Sequence, residues 1–501
     1  MPVPASPLLV GATPLSIEDV EQTARRGRVV ELAVHSRALI RKGRVALEER
    51  LEEGERIYGV NTGVGGNIKF ELTADQSELL QHNIMRHLSC ATGQPLPSDV
   101  VRAAMLLRVA TFSTGTSAVR PGLVQALIDL MNRGITPIVP RYGSVGASGD
   151  LMPSAYVARA LIGMGGVEYQ GRTMSALEAL KLADLEPMRF APKEGLALIN
   201  GTTMMTAVAA LLWVDAWHVL RALLSAISLS VEALEAGVEP FEAWVQDMKG
   251  HPGQSAVAAH IREYLLGSKM AGDSGRQSCY SLRCPPQGLG PVWEALDQAR
   301  PIIEREINSA NDNPLVDPVT GALYRAGNFY GGHIARLLDG WKIDFAVMAN
   351  WANALMAVLV DDRFNNGLPA GLVPEPGVNS GFKGMQLSVT SLACAVRQIA
   401  GPSSIHSLPT ESYNQDVVSL GMHAAVTALD ALECLRNETA MVLLAAAQAV
   451  DLRTATVSLG TRNRRVHNAI RHMSDFLDRD RAMEQDVADV ASLIAAGKLA
   501  V

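Results

Sequence analysis

Three long stretches without a helix breaker constrain this chain more than anything else in it. From Thr202 to Ala236 there is no glycine or proline, and only Asp215, Arg221, Glu232 and Glu235 are charged. Two further runs extend from Trp341 to Asn366 and from Met422 to Leu459. A single helix over the first, at ~1.5 Å per residue, would reach ~50 Å, longer than a small domain is wide. The apolar residues cover most of the helical circumference rather than one stripe, so such helices cannot be solvated all round. They must pack in the middle of a bundle or between subunits. A 48% hydrophobic composition supplies that core, and with aromatics at only 5% it consists mostly of Ala, Leu, Val, Ile and Met.

Before about residue 200 the rhythm differs. Gly and Pro recur every few to twenty residues, as in 58-YGVNTGVGGN, 93-GQPLP, 134-GITPIVPRYGSVGASGD and 163-GMGG. That spacing predicts shorter helices joined by functional loops. Strand signals are weak: 135-ITPIV and 166-GVEYQGR can pair locally, and no βαβ rhythm appears. The chain therefore reads as mainly α, with a loop-rich N-terminal region over residues 1–200 and a long-helix bundle with C-terminal helices over 201–501. The last segment, Arg462 to Val501, mixes basic and acidic residues and reads as amphipathic surface helices.

Charge and cysteine usage exclude several classes. With 44 Lys+Arg against 51 Asp+Glu the net charge is −7, which excludes a basic nucleic-acid binder. Five cysteines without a CxxC pair fit free thiols in a reducing cytoplasm, and no structural zinc is expected. The N-terminal Met-Pro-Val-Pro-Ala-Ser-Pro lacks the basic and apolar parts of a signal peptide. The longest uncharged apolar stretch, Phe345 to Val360, is interrupted by two Asn and falls short of the ~20 residues of a membrane span. The expectation is a soluble cytoplasmic protein with neither a nucleic-acid nor a membrane partner.

The most informative segment is 143-GSVGASGDLMP. Gly143, Gly146 and Gly149 flank Ala147 and Ser148, and Asp150 stands where it could cap a helix starting at Leu151. A phosphate cradle would need a following Lys and a preceding strand, and neither is present. A nucleophile elbow would need Gly-x-Ser-x-Gly, which is absent around Ser148. On these residues alone a structural loop stays open beside a catalytic one.

The segment resembles the signature of the histidine and aromatic amino acid ammonia-lyase and aminomutase family, in which Ala-Ser-Gly cyclises into the electrophile methylidene-imidazolone (MIO). The resemblance covers nearly the whole chain. Family-like segments occur in the family's order: 58-YGVNTGVG, 143-GSVGASGDLMP, 199-INGTT, 280-YSLRCPPQ, 308-NSANDNPL, 327-GNF and 414-NQDVVSLG. It implies a mainly α fold with a long central helical bundle of the fumarase/aspartase-like type, the prosthetic group being carried by the loop-rich N-terminal region. It also implies a homotetramer with active sites shared between subunits. Cyclisation joins the amide nitrogen of Gly149 to the carbonyl carbon of Ala147, an approach that small residues permit. The prosthetic group is then built from Ala147, Ser148 and Gly149 themselves, and neither metal nor exogenous cofactor is implied.

The resemblance also assigns roles. Tyr58 matches the catalytic base; a free tyrosine has a pKa of ~10, so neighbouring positive charge or helix N-termini must ionise it near neutral pH. Arg283 matches the residue that binds the substrate carboxylate, for which a guanidinium fork is suited. Asn200 and Tyr280 match residues supporting the prosthetic group and the substrate amine, and Phe329 matches a wall of the site. Asn414 and Gln415 match positions near the electrophile.

Substrate choice in the family goes with a residue pair that aligns here with His87-Leu88 in 81-QHNIMRHLSCATG. In relatives His-Leu goes with tyrosine, Phe-Leu with phenylalanine and Ser-His with histidine. A His87 ring nitrogen can bond a para-hydroxyl, and a site left with it unpaired disfavours phenylalanine. Asp416 after Gln415 and the run Val-Val-Ser-Leu-Gly resemble tyrosine and phenylalanine enzymes, and Glu411 and Lys383 resemble phenylalanine-type members. The implied reaction is anti elimination of ammonia from tyrosine, giving the phenylpropanoid acid trans-p-coumarate. Alternatives are a tyrosine 2,3-aminomutase making β-tyrosine, a phenylalanine or histidine ammonia-lyase, and a catalytically silent scaffold. Departures from the family pattern are Ser278-Cys279 after Gln277, Met152 within Leu151-Met152-Pro153, and Val64 in the tyrosine loop.

Overall fold

The computed structural model describes residues 6–272, 277–453 and 458–499. The N-terminal leader reading over residues 1–5, part of the third breaker-free run at 454–457 and the chain's last two residues lie outside the described residues. The three runs form the helices Thr203–Ala233, Gly332–Val360 and Gly421–Leu452. The second begins well before Trp341 and carries Gly340 inside it, then stops at Val360, short of the breaker. A fourth long helix, Pro285–Ile307, is hidden from the breaker rule by Gly288, Gly290 and Pro301. Its Gly288 is a packing residue: a Cβ there would overlap the ring of Trp351. Contact between elements thus outweighs the ~1 kcal/mol that glycine costs a helix interior.

By its contacts the chain forms two compact units. The first comprises Met1–Leu211, Arg300–Leu338 and Pro402–Val426; the second comprises Leu212–Ala299, Asp339–Gly401 and Thr427–Val501. The expected local strand pairing is present in the first unit: Thr136–Pro137 pairs antiparallel with Gly166–Tyr169, which turns back on Arg172–Ser175. The expected C-terminal surface helices are Thr461–Met473 and Glu484–Ala495; the former buries Val466, His467 and Ile470 and exposes its basic face. Two helices, Thr203–Ala233 and Gly332–Val360, are long and apolar enough to cross a membrane by length and composition. In the first of these, 72% of the apolar window is buried within the chain, as in the core helix of a globular protein.

In the first unit, later segments of the chain join the N-terminal region. The core residues Leu47, Ile57, Val60 and Ala118 enclose Val316, which anchors the 308–316 segment beneath the Tyr58 loop. A buried ion pair adds to this anchor: Lys193 Nζ donates to Asp312 Oδ2 at 2.6 Å, and neither side chain is exposed. Burial pulls the Lys193 pKa down, and the charge of Asp312 opposes that shift. Removing one partner strands the other charge in a dry interior. Lys193→Met should therefore destabilise the protein by about 3–5 kcal/mol. Chemical denaturation checks this, and an unchanged midpoint would show that the pair holds nothing together.

Candidate active site

The Ala147–Gly149 segment is held by backbone on one side and by side chains on the other. Asp150 N donates to Gly201 O at 2.7 Å, and Gly201 N donates to Ser148 O at 3.2 Å. Gly149 has φ 72° and Gly201 φ 138°, conformations that L side chains rarely adopt. A Cβ on Gly149 would overlap Gly201 O and press on Phe329 O. On the other side, Ser144 Oγ donates to Gly149 O at 3.1 Å, and Ser419 Oγ donates to Gly146 O at 3.2 Å.

Asp150 occupies the N-cap position of the helix Leu151–Leu161, but its side chain does not cap that helix. Its Oδ2 instead accepts from Met204 N at 2.8 Å and Met205 N at 2.9 Å, in the first turn of Thr203–Ala233. The local reading fails because Asp150 adopts φ −101°, ψ 46° rather than the extended backbone of a capping residue. Burial pushes its carboxyl up to about 7, against the two amide donors and the charge of Arg108. Arg108 is itself buried and binds the chain on either side of Gly201, donating to Asn200 O at 2.9 Å and Thr203 Oγ1 at 3.2 Å.

Tyr58 sits in a loop fixed by its own neighbours. Asn61 Oδ1 accepts from Ile57 N at 2.7 Å, and Thr62 Oγ1 accepts from Gly59 N at 3.1 Å. The Tyr58 hydroxyl accepts from Gly65 N at 2.9 Å, while Glu411 Oε2 accepts from the next amide, Gly66 N, at 2.9 Å. Glu411, Ser412 and Tyr413 all have positive φ, at 51°, 55° and 63°. Each such L residue costs roughly 1–2 kcal/mol. The turn is closed by Thr410 N donating to Gln415 O at 2.9 Å. It brings Glu411 onto the Tyr58 loop and sets Gln415 Nε2 to donate to Ser148 Oγ at 3.3 Å.

The helix Ala74–His87 supplies the residue pair aligned with substrate choice. It starts with a capping box between Thr73 and Gln76. Buried Gln81 ties it in, donating to Gly59 O at 3.2 Å and accepting from Leu196 N at 3.0 Å. His87 is its last residue and Leu88 its C-cap.

These parts enclose a cavity of about 680 Å³. Tyr58, His87, Leu88 and Asn200 line it, together with Ala147, Ser148 and Gly149. Phe329, Glu411, Asn414 and Gln415 complete the set of sequence-derived residues found there. The family model for aromatic amino acid lyases matches residues 15–472. The chain belongs to that family. A hal-like protein of Dictyostelium discoideum is 38% identical over 504 residues, covering 97% of this chain and 95% of its own. The histidine ammonia-lyase of Deinococcus radiodurans is 37% identical over 493 residues, covering 97% and 93%. Among solved structures, the tyrosine aminomutase from Streptomyces globisporus matches with a TM-score of 0.94 at 33% identity, over 98% of this chain and 97% of that one. The mainly α fold is the one shared by these lyases and aminomutases.

Three sequence-derived residues of this family member do not line the cavity, and all belong to the second unit. Tyr280 is 69% exposed, with the Arg283 guanidinium 4.7 Å from its ring centroid. Gln277, its amide oxygen turned towards Arg283, accepts from Nη1 at 2.8 Å. Lys383 is the exposed first residue of the helix Lys383–Ile399. The cavity also contains residues that the motifs did not mark. Ile84 lies one turn before His87 and Leu88, so helical periodicity could have found it. Arg325, two residues before the 327-GNF motif, carries the one fixed positive charge in the lining among the described residues; nothing local in the sequence marks it. Among the described residues, no group of three or more His, Cys, Asp or Glu is placed to hold a metal ion.

The residues present fit a cyclised Ala147–Ser148–Gly149. Gly149 has no room for a side chain, and Asn200, which lines the cavity, keeps a buried Oδ1 without a partner among the described residues. Tyr58 meets the sequence requirement for an ionising neighbour only in part. Burial raises its pKa, the Gly65 amide at the start of the Gly65–Asn67 turn lowers it, and the charge of Glu411 raises it again. An ultraviolet difference titration of the protein against Tyr58→Phe should therefore place its ionisation above the ~10 of a free tyrosine. Glu411→Gln should move it down, and an unmoved titration would remove Glu411 from the electrostatics of this phenol.

Proposed function

We propose that this family member is a tyrosine ammonia-lyase, converting L-tyrosine to trans-p-coumarate and ammonia in the cytoplasm. The observation that carries the proposal is that His87 and Leu88 line the same cavity as Tyr58 and Ala147–Gly149. The remaining lining is apolar at Ile84, Met152, Leu196 and Ile199. Such a cavity suits an aromatic ring with one polar substituent, which His87 can hydrogen-bond.

The methylidene-imidazolone formed from Ala147, Ser148 and Gly149 would supply an electrophile that makes the amine a better leaving group. Tyr58, as phenolate, takes the β-proton at its Oη; the C–H electron pair becomes the new double bond, and the Cα–N bond breaks. Burial and the charge of Glu411 oppose the charged form of Tyr58, and the Gly65 amide that donates to Oη favours it. Asn200 and Gln415 position the prosthetic segment, the latter through its hydrogen bond to Ser148. Arg283 would bind the substrate carboxylate and Tyr280 would support the amine, both supplied by another copy of the chain in a homotetramer. The exposure of Tyr280, with the half-buried Arg283 against its ring, supports that assignment. Glu411 would add a substrate contact, with Phe329 as a wall and Asn414 near the electrophile; Lys383, outside this cavity, would contact substrate only from another copy of the chain.

The likeness to a tyrosine aminomutase favours a second reading on the same amino acid, a 2,3-aminomutase that re-adds the amine at the β-carbon. Which of the two occurs depends on how long the closed Tyr58 loop retains the acrylate.

Incubation with tyrosine, phenylalanine and histidine separates these readings. Coumarate should dominate, β-tyrosine by chromatography would instead establish the mutase, and urocanate from histidine would overturn the assignment. The wild-type mass should be two waters below that of the unmodified chain, and Ser148→Ala should abolish this difference. Tyr58→Phe should lower kcat by about 10²–10⁴. His87→Phe should shift kcat/KM towards phenylalanine by about 10- to 100-fold.

A further inference from the structure

The pair His87-Leu88 stands at the end of a helix, and a short linker of Ser89, Cys90 and Ala91 joins it to the strand Thr92–Pro95. Within the linker, Ser89 Oγ donates to Met85 O at 2.7 Å and Cys90 Sγ contacts His87 O at 3.6 Å. Both contacts point back to the parent helix and say nothing about where the pair stands in the site.

The strand reaches further. Thr92–Pro95 pairs antiparallel with Pro140–Tyr142, the strand that runs directly into Gly143 and the prosthetic loop. Its register slips between the Thr92–Tyr142 and Pro95–Pro140 pairs, so backbone pairing alone defines the linker's position loosely.

Tyr156 supplies what the strand lacks. It lies on Leu151–Leu161, the helix that begins immediately after the prosthetic triplet and Asp150. Its hydroxyl accepts from Ala91 N at 3.1 Å and is 3.4 Å from Ala91 O, to which it donates. A hydroxyl has one donor and two acceptor sites, so it can grip both backbone groups of a single residue. Tyr156 is 6% exposed, and the Arg159 guanidinium lies 3.7 Å from its ring centroid, which keeps the ring from swinging away. Beside it, the Met152 thioether packs over Gly143, whose absent Cβ would come within 3.1 Å of the Ala91 methyl. Ala91 is thus held in a corner formed by the prosthetic loop and its helix.

We infer that Tyr156 is a positioning residue for substrate choice: by gripping Ala91 it sets where His87 and Leu88 stand relative to Ala147–Gly149. The inference rests on the reading of His87 as the residue that meets the substrate ring. Ala91 is only half-buried, so water can satisfy its amide when the tyrosine hydroxyl is removed. The loss then falls on position more than on stability.

Tyr156→Phe is the test, with His87→Phe and the double variant beside it. Selectivity is the kcat/KM ratio between the wild-type enzyme's best and second-best substrates among tyrosine, phenylalanine and histidine. A wild-type preference other than tyrosine overturns the tyrosine reading and still leaves Tyr156 testable. In Tyr156→Phe the intact mass should remain two waters light, and the ratio should fall about fivefold, the worth of one ordinary hydrogen bond. The change should appear in KM for the preferred substrate. The double variant should show the ratio of His87→Phe alone, because Tyr156 acts through that residue. An equal loss on both substrates, or additive effects in the double variant, would overturn the inference and leave Tyr156 a purely structural residue.

Discussion

The contact on which the site depends is the approach of two backbones, Ser148–Asp150 against Gly201. Hydrogen bonds run in both directions between them, and the carbonyls of Gly201 and Phe329 fill the space that a side chain at position 149 would need. A backbone pressed this closely from outside has few conformations left. That restriction would suit the proposed cyclisation of Ala147–Gly149, since the entropy of arranging the reacting groups would be lost during folding rather than at the chemical step.

Keeping that contact takes buried charge. Asp150 caps the long Thr203–Ala233 helix from outside it, and Arg108 binds the chain before and after Gly201. Among the described residues neither is neutralised by a direct ion pair, and burial shifts both away from their ordinary pKa values, Asp150 to about 7 and Arg108 to about 10. The other side of the cavity has its own tension. Glu411 braces the Tyr58 loop through Gly66 while its charge opposes the ionisation of Tyr58. It is presented by three consecutive residues of positive φ, a strained turn of the kind that persists where surrounding structure demands it.

Much of this is legible in the chain. The breaker-free runs announce long buried helices because a helix without polar faces has no stable place in water. The family-like segments mark Tyr58, His87, Leu88, Asn200 and Ala147–Gly149, which the fold does gather around one cavity. Other features are illegible for definite reasons. The helix Pro285–Ile307 contradicts its own glycines, because Gly288 answers to the ring of Trp351, more than sixty positions away in sequence. Asp150 has the spacing of a local cap, yet its carboxylate serves a helix starting more than fifty residues later. Arg325 faces the cavity without any motif to announce it.

The helical class, the residue types of the Ala147–Gly149 segment and the family are all written in the linear chain, because they follow from local periodicity and from small residues at fixed spacing. Which carboxylate caps which helix, what braces Tyr58, and the grip of Tyr156 on the linker after His87 arise only on folding. Those are contacts between residues far apart in the chain, and neither a propensity nor a spacing encodes them until the backbone has brought their partners within hydrogen-bonding distance.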